Sequence, residues 1–360
     1  MVSLNNFFDG KRVMVTGHTG FKGTWLCQML IDLNADVTGY SLAPQTKPSL
    51  FELSQMNSRI KSFIGDIRDY KNLSDVFEKT RPEIVFHLAA QPIVREGYKD
   101  PRYTYDTNVM GTVNILDCIR TIGGVKSVVI VTTDKVYLNR EQDEGYIESD
   151  ELDGFDPYSN SKSCAELVTH SYKRSFFDNH SIAVSTVRAG NVIGGGDFAN
   201  DRIVPDCVRA LVENKTIRVR NPNSIRPYQH VLEPLTAYLR VAEKQYFDEE
   251  YADYYNVGPD DCNCVTTGKL ADMFCEYWGS GAKWEDVSES DAPHEASILK
   301  LNCNKIKETL KWRPLWNIEK SIAMTCEFEK RRINGDNIEQ LMKTQIKEYF
   351  AEEAKNADME

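Results

Sequence analysis

Tyr158 and Lys162 form the clearest acid–base pair in the sequence, because a spacing of four residues puts both side chains on one face of a helix. Asp156 and Pro157 precede them and are typical of a helix start. A nearby ammonium group favours a phenolate, so we expect Lys162 to lower the pKa of Tyr158 toward neutrality. Tyr158 would then take the proton of a substrate hydroxyl while hydride leaves the same carbon. Alone, the spacing also occurs by chance on solvated helix faces.

A second polar group follows the apolar residues 128–131, which are typical of a buried strand. Its members carry hydroxyl, carboxyl and ammonium groups: Thr132, Thr133, Asp134 and Lys135. Ligands of parallel sheets bind at the carboxyl ends of strands, so we expect this group and Tyr158 to face one crevice. The structural alternative is a threonine-rich strand end that caps the next segment.

A glycine-rich turn lies near the N-terminus, between the apolar residues 13–15 and a helical pattern. Glycines spaced GxxGxxG let the backbone turn sharply and approach a pyrophosphate, which the following helix N-terminus attracts. The spacing differs from the commoner GxGxxG, and an ordinary tight turn is the alternative. The candidate cofactor-binding residues here are Gly17, Thr19, Gly20, Phe21, Lys22 and Gly23.

The residue that closes the second strand would contact the adenosine ribose, but this strand ends at Tyr40 and Ser41 without a carboxylate. Asp36 is 19 positions after Gly17 and is better explained as a solvated residue that opens the strand. The end of this strand therefore does not show whether the protein prefers NAD or NADP. Asp66, after the third strand, is a candidate for the adenine amino group.

These groups need a scaffold, and the pattern of apolar runs predicts a parallel α/β sheet. We expect strands at residues 13–15, 37–40, 63–64, 84–88, 128–131 and 182–187, with helices at 24–33, 70–80, 101–121 and 158–177. The fold class is a Rossmann-like doubly wound sheet with a smaller, irregular substrate-binding domain. We assign residues 1–187 to the NAD-binding domain, with 231–257 returning to it. Residues 188–335 are mainly substrate-binding, and 336–360 form a charged, helix-prone tail to which we assign no chemistry.

Composition excludes several classes of function. A net charge of -11 argues against nucleic-acid binding, and no apolar run is long enough to span a bilayer. The first residues lack the pattern of a secretory signal. Nine scattered cysteines form neither a disulfide framework nor a metal motif, and Cys262-Asn-Cys264 is the only close pair. We expect a cytoplasmic protein without a metal, a nucleic-acid partner or a membrane partner.

Taken together, these motifs resemble the extended short-chain dehydrogenases of the NAD-dependent epimerase/dehydratase type. The resemblance extends over residues 8–335 and is specific at 16–23, 88–91, 107–109, 132–135 and 156–162. Residues 16–23 and 156–162, together with 188–197, 225–231 and 294–296, are similar to the CDP-glucose branch of the nucleotide-sugar 4,6-dehydratases. Further cofactor contacts that the resemblance implies are Ile67, Leu88, Ala89, Ala90, Gln91, Asn108 and Thr132, besides Tyr158 and Lys162.

The resemblance implies an internal redox cycle on CDP-D-glucose that yields CDP-4-dehydro-6-deoxy-D-glucose. Tyr158, with Thr133 as hydrogen-bond partner, would deprotonate the 4-hydroxyl while C4 passes hydride to NAD. Asp134 would protonate the leaving 6-hydroxyl. Lys135 stands where many dehydratases have the glutamate that removes the C5 proton, and it is either that base or an ion-pair partner that orients Asp134. The implied substrate-binding residues are Asn191, Arg202, Arg226 and His294.

Two features depart from the branch: Phe198 and Tyr228 stand where it generally has tryptophan, and residues 141–153 are more acidic than usual. The base or sugar preference therefore stays open. A nucleotide-sugar 4-epimerase, or a dehydratase for another nucleotide sugar, is the alternative enzyme. The epimerase would need NAD and Tyr158 but no acid–base pair like Asp134 and Lys135, whereas a dehydratase for another nucleotide sugar would need that pair as well. A non-catalytic NAD-binding protein is the alternative from another class. The family also implies a homodimer or homotetramer, with the helices at 101–121 and 158–177 paired across a two-fold axis.

Overall fold

A seven-stranded parallel sheet forms the centre of the protein. The computed structural model describes residues 2–178, 181–288 and 298–357. The strands are β1 Arg12–Thr16, β2 Asp36–Ser41, β3 Lys61–Ile64, β4 Ile84–His87, β5 Ser127–Val131, β6 Ala183–Ala189, β7 Val192–Ile193, β8 Ile217–Val219, β9 Ile225–Arg226, β10 Gln229–His230, β11 Tyr254–Val257, β12 Val265–Thr266 and β13 Trp284–Asp286. The sheet order is β11-β6-β5-β4-β1-β2-β3. The strand order reverses at β1, where doubly wound sheets open a ligand-binding crevice.

The predicted fold class is confirmed, and all six predicted strands are present with ends shifted by at most a few residues. Strands β4, β5 and β6 are buried along their whole length. Burial on both faces explains their continuous apolar sequences, since helices cover both sides of a parallel sheet. Asp36 opens β2 and pairs with Lys61 at 2.6 Å, as expected for a solvated residue.

Helices cover both faces of the sheet. They are α1 Val2–Phe8, α2 Phe21–Asp32, α3 Leu50–Leu53, α4 Tyr70–Thr80, α5 Val94–Lys99, α6 Pro101–Tyr105, α7 Gly111–Ile122, α8 Pro157–Tyr172, α9 Ile203–Val212, α10 Leu232–Phe247, α11 Thr267–Trp278, α12 Asn304–Thr309, α13 Ile318–Ile333 and α14 Ile338–Ala357. π-Helical turns at Asp106–Met110 and Lys173–Phe177 join α6 to α7 and extend α8. None of the helices in residues 2–178, 181–288 and 298–357 combines the length and apolarity needed to cross a membrane.

The irregular second region packs around its own apolar core, which includes Val204, Ile217, Leu270 and Phe274. Short strand pairs connect it: β7 with β10, β9 with β12 and β8 with β13. The chain returns to the main sheet through α10 and β11, and β11 pairs with β6. This region therefore stands over the carboxyl end of the sheet, where the polar strand ends lie.

The C-terminal segment is an integral helix. Helix α14 contacts α2 and α13, and it buries Leu341, Met342, Ile346 and Tyr349 in the main core. The sequence predicts a charged, helix-prone tail over residues 336–360, and the helix is present at Ile338–Ala357. Its burial in the main core was not predicted.

Candidate active site

The glycine turn is shaped by backbone contacts that exclude any side chain. Gly17 has φ +75°, and a Cβ on it would lie 2.8 Å from the backbone nitrogen of Ala89. A Cβ on Gly23 would lie 2.1 Å from the carbonyl oxygen of Gly17. Helix α2 begins directly after Gly20, and no side chain caps it. A bare helix N-terminus beside a close backbone approach fits the pyrophosphate of a dinucleotide.

A cavity of about 980 Å³ opens at the carboxyl ends of the strands. It brings together residues that are far apart in sequence, from the glycine turn, the β4 and β5 ends, α8 and the second region. The predicted site residues that line it are Lys22, Leu88, Ala90, Thr132, Thr133, Asp134, Lys135, Tyr158, Lys162, Asn191, Arg202 and Arg226. One cavity thus collects the predicted catalytic group and the predicted arginines.

Other predicted cofactor residues support the cavity wall from behind. Asn108 accepts from the backbone of Gln91 at 2.8 Å and donates to Ser161 of α8 at 2.9 Å. The Asp66 carboxylate pairs with Arg68 at 2.7 Å, and this hydrogen bond lowers its pKa. Ile67 packs against Gly111, where a Cβ would approach within 2.7 Å. The carboxylate of Asp66 is therefore already neutralised from within the chain.

Tyr158 and Lys162 lie buried on the cavity side of α8, as their spacing predicted. The expected fall in the pKa of Tyr158 is wrong for the protein without a cofactor. Burial raises this pKa to about 12, against the hydrogen bond with Thr133 that lowers it. Lys162 donates to the carbonyl oxygen of Val131 at 3.1 Å, and burial lowers its pKa to about 8. The phenol stays protonated because desolvation outweighs the positive charges around it.

Asp134 is fully buried at the start of a short 3-10 turn, Asp134–Val136. Its Oδ1 accepts from Thr133 Oγ1 at 2.9 Å and from Lys135 Nζ at 3.1 Å. Its Oδ2 has no hydrogen-bond partner within the described part of the chain. A Cβ on Gly190 would lie 3.2 Å from Oδ2, so the glycine leaves room beside this oxygen. A buried carboxyl oxygen without a partner is available to a substrate hydroxyl.

Lys135 joins the strand end to the second region. Its ammonium group donates to Asn191 Oδ1 at 3.3 Å as well as to Asp134. The structure therefore contains the ion pair that would orient Asp134, and it also directs the ammonium group toward a predicted substrate-binding residue. The geometry is compatible with both roles that the sequence left open for Lys135.

Cations gather on the other side of Asp134. Burial, then Arg202 and then Lys162 lower the pKa of Lys22 to about 7, while Asp134 raises it. Arg202 pairs with Asp197 at 3.2 Å. Such a cluster gives the cavity a positive side that suits phosphate groups.

The predicted substrate residues occupy different positions. Arg226 is buried and donates to the carbonyl oxygen of Ile225 at 2.9 Å. Tyr228 lines the cavity, and its hydroxyl is 2.9 Å from that of Thr267. Phe198 lies instead beneath the guanidinium of Arg332 at 5.0 Å and is not part of the cavity wall. His294 lies outside the described residues. No cluster of three or more His, Cys, Asp or Glu side chains suited to a metal occurs in residues 2–178, 181–288 and 298–357.

The sequence analysis missed Glu166 and gave Arg188 no role. Both are fully buried, and their side chains pair at 2.9 Å beside the end of β5. The signal was present: Glu166 follows Lys162 by four residues, and Arg188 directly follows the predicted strand 182–187 and lies within β6. A charge at such positions needs a partner in the interior.

One protein family matches most of the sequence. A family model described as GDP-mannose 4,6 dehydratase matches residues 14–325. This chain belongs to the GDP-mannose 4,6-dehydratase family. Within the family, a CDP-glucose 4,6-dehydratase of Salmonella typhimurium is 45% identical over 352 residues, which cover 96% of this chain and 98% of the relative. The resemblance drawn from the motifs is confirmed.

Solved structures share the fold at lower identity. A UDP-glucose 4-epimerase of Thermotoga maritima, solved with UDP-glucose, is 21% identical with a TM-score of 0.77 and covers 89% of this chain and 99% of its own. A dTDP-glucose 4,6-dehydratase of Bacillus anthracis, solved with NAD, is 20% identical with a TM-score of 0.75 and covers 91% of this chain and 98% of its own. Epimerases and dehydratases thus share this architecture, and the side chains in the cavity must distinguish the reactions.

Proposed function

We propose that this protein is an NAD-dependent CDP-glucose 4,6-dehydratase, a lyase that converts CDP-D-glucose to CDP-4-dehydro-6-deoxy-D-glucose. One observation carries the proposal: the buried Asp134 lines the same cavity as Tyr158, beside Lys135, and its Oδ2 has no hydrogen-bond partner among the described residues. Tyr158 alone would serve an epimerase equally well. The 45% identity to a CDP-glucose 4,6-dehydratase supports the same substrate.

The residues around the glycine turn fit a dinucleotide. Gly17, Gly20 and Gly23 would hold the pyrophosphate at the N-terminus of α2. Lys162 and Thr132 line the cavity where the nicotinamide end would lie. NAD, when bound, accepts hydride from the sugar C4 and returns it to C6, so no net reduction occurs.

Tyr158 is the base for the 4-hydroxyl. Its phenol is protonated at neutral pH in the cofactor-free protein, because burial raises its pKa to about 12. The positive charge of the oxidised cofactor and of Lys162 favours the phenolate once the complex forms. Tyr158 then takes the hydroxyl proton as C4 loses hydride, and a ketone forms at C4.

Elimination uses the pair at the end of β5. The 4-ketone acidifies the C5 proton, which Lys135 removes in its neutral form. The C6–O bond breaks as Asp134 gives its proton to the leaving hydroxyl, so one water departs and a C5–C6 double bond remains. When the hydride returns to C6, Lys135 would give its proton back to C5. The proton that Tyr158 took from the 4-hydroxyl would be released to solvent and would replace the one that Asp134 lost, so the protons balance. Asp134 is suited to the acid role because Oδ2 is buried and has no partner within the described chain.

The arginines would hold the diphosphate. Arg226 and Arg202 line the cavity and can bind phosphate oxygens through two N–H groups each. Asn191 connects this region to Lys135 at 3.3 Å, so substrate binding and the elimination pair are physically linked. His294 belongs to the same proposed substrate-binding set.

We also propose a cytoplasmic homodimer or homotetramer. Apolar side chains are exposed on the surface that α7, α8 and their π-turns share, at Met110, Leu167 and Phe176. Pairing of these helices across a two-fold axis would cover them. Sedimentation of the purified protein tests the proposed oligomeric state, and a monomer at micromolar concentration would contradict it.

The substrate assignment is tested with a panel of nucleotide sugars. The NAD-loaded protein is incubated separately with CDP-, dTDP-, UDP- and GDP-glucose, and the masses of the products are measured by mass spectrometry. The proposal predicts loss of one water from CDP-glucose at the highest rate. Faster dehydration of another member would reassign the nucleotide and point to Tyr228, which lines the cavity.

A further inference from the structure

Helix α8 carries a third ionisable side chain on the face of the catalytic pair. Tyr158, Lys162 and Glu166 follow one another at intervals of four residues, and all three are buried. Nothing in the proposed reaction uses Glu166. A buried carboxylate is costly unless it is paired and hydrogen-bonded, so its retention here calls for an explanation.

The Glu166 carboxylate holds two strand ends together. Its Oε1 accepts from Thr132 Oγ1 at 2.5 Å, and Thr132 opens the tetrad after β5. Its Oε2 accepts from Thr186 Oγ1 at 2.6 Å and from Arg188 Nη2 at 2.9 Å, both on β6. His170 Nε2 lies 3.4 Å from the same oxygen. The carboxylate therefore ties α8 to β5 and β6 immediately behind the catalytic lysine.

Arg188 is fixed in turn from the far side. Its Nη1 donates to the Tyr137 hydroxyl at 2.8 Å and to the Glu148 carbonyl oxygen at 2.9 Å. The Tyr137 hydroxyl donates to Asn256 on β11 at 2.6 Å. Burial disfavours the charge on Glu166, but Arg188 and the hydrogen bonds hold the pKa of Glu166 well below its usual range. The carboxylate is thus a fixed negative charge at every working pH.

We infer that Glu166, held by Arg188, is a positioning residue that keeps Lys162 protonated beside Tyr158 and keeps Thr132 in register with the elimination pair. This inference rests on the proposed function, because it assigns Glu166 a part in the same reaction. Glu166 is not among the residues that line the cavity, so it would act through Lys162 and Thr132, which do line it.

The charges around Lys162 support this role. Burial lowers the pKa of Lys162, and Glu166 is the group that raises it. Lys22 on α2 and His87 on β4 also face Lys162. Burial and then Lys162 lower the pKa of His87 to about 3, so His87 is neutral, while Lys22 adds positive charge when protonated. Neither Lys22 nor His87 favours the ammonium form of Lys162.

The groups that face Glu166 itself are Lys162 and His170 from α8, Arg188 from β6 and, more distantly, Tyr254 from β11 and Tyr137. Arg188 is the closest cation, and its own charge opposes protonation of Lys162. Loss of Glu166 alone would leave the positive charge of Arg188 uncompensated near Lys162. It would therefore lower the pKa of Lys162 more than loss of both Glu166 and Arg188 would. The single variant should therefore change the pKa of Lys162 more than the double variant does.

The test measures the ionisation of Lys162 directly. NAD-bound protein labelled with ¹³C-lysine is titrated by NMR, and a Lys162→Met sample assigns the resonance. Glu166→Gln should lower the pKa of Lys162 by about one unit, as expected for loss of a partner one helical turn away at an effective dielectric near 20. The double variant Glu166→Gln, Arg188→Met should lower it by less, and Glu166→Asp should leave it near the wild-type value.

The same order should appear in the pH dependence of kcat, where the alkaline limb moves to lower pH as Lys162 loses its proton earlier. An unchanged Lys162 pKa in folded Glu166→Gln overturns the inference. If that variant does not fold, the pKa of Lys162 is measured instead in the double variant, which carries no unpaired buried charge, and is compared with the wild-type value. The titration needs no substrate, so a wild-type protein that dehydrates no nucleotide sugar refutes the proposed function without touching this result.

Discussion

Replacement of Asp134 by asparagine should stop dehydration while leaving C4 oxidation intact. The change keeps the size of the side chain and an oxygen that can accept from Thr133 and Lys135, which contact Oδ1 at 2.9 and 3.1 Å. It removes the proton that Oδ2 would give to the leaving hydroxyl, together with the negative charge that pairs with Lys135. Since Oδ2 has no partner within the described residues, its replacement breaks no existing hydrogen bond.

The expected loss follows from the role of a general acid, which contributes about 10²- to 10⁴-fold to a rate. That range corresponds to roughly 3 to 5 kcal/mol of the activation free energy. Asp134 is fully buried, so bulk water cannot take its place, and we expect a loss near the upper end. Tyr158 does not depend on the Asp134 proton, so the oxidised sugar and reduced cofactor should accumulate.

Two readouts separate these steps. Mass spectrometry follows loss of water from CDP-glucose, and absorbance of the reduced cofactor follows C4 oxidation in a single turnover. Asp336→Asn is the matched control, because Asp336 is in a surface ion pair with Arg331. Dehydration by Asp134→Asn within about threefold of wild type would refute the assignment of Asp134 as the general acid, since it lies far below the expected range.

Four further changes have defined outcomes. Lys135→Met should slow dehydration about a hundredfold or more if Lys135 is the C5 base, again with C4 oxidation retained. Arg226→Ala should weaken CDP-glucose binding about tenfold or more, with little change for NAD, because it removes charged hydrogen bonds to phosphate. Gly23→Ala should abolish NAD binding in calorimetry, since its Cβ would lie 2.1 Å from a backbone oxygen of the turn. Burial raises the pKa of Glu233 to about 7, so the free energy of unfolding should fall by roughly 3 kcal/mol from pH 4.5 to 7, and Glu233→Gln should flatten this slope in denaturant titrations.

The controls and contrary outcomes are equally specific. Full dehydration by a Lys135 variant would leave that residue only the role of orienting Asp134. Arg331→Ala controls for loss of an arginine, and equal small effects on both ligands would discredit the role of Arg226. Gly258→Ala controls for the added methyl group, because its Cβ would meet Cys303 Sγ at an ordinary 3.5 Å. A slope in stability that survives Glu233→Gln would assign it to other groups.

Most of the main sheet could be predicted because its central strands, such as β4 and β5, are buried along their whole length and carry runs of apolar residues. The same reasoning located the tetrad after β5 and Tyr158 in one cavity, since parallel strands end at one edge. The burial of helix α14 was harder to predict, because charged and polar residues separate Leu341, Ile346 and Tyr349.

The remaining features depend on tertiary contacts. The pKa of Tyr158 could not be inferred from the spacing to Lys162, because the depth of burial decides it. Phe198 was expected to bear on the base or sugar preference, but it lies against Arg332 and outside the cavity wall. The pair of Glu166 and Arg188 joins a helix to a strand 22 residues later, a contact that no local pattern specifies.

The most direct test of the account follows the hydrogen atom at C4. CDP-glucose deuterated at C4 is incubated with the NAD-loaded protein, and the product is examined by mass spectrometry and NMR. Intramolecular hydride return predicts a product lighter by one water that carries the deuterium at C6, with no net reduction of NAD. A product of unchanged mass with the deuterium still at C4 would contradict dehydration and would assign this cavity to a 4-epimerase.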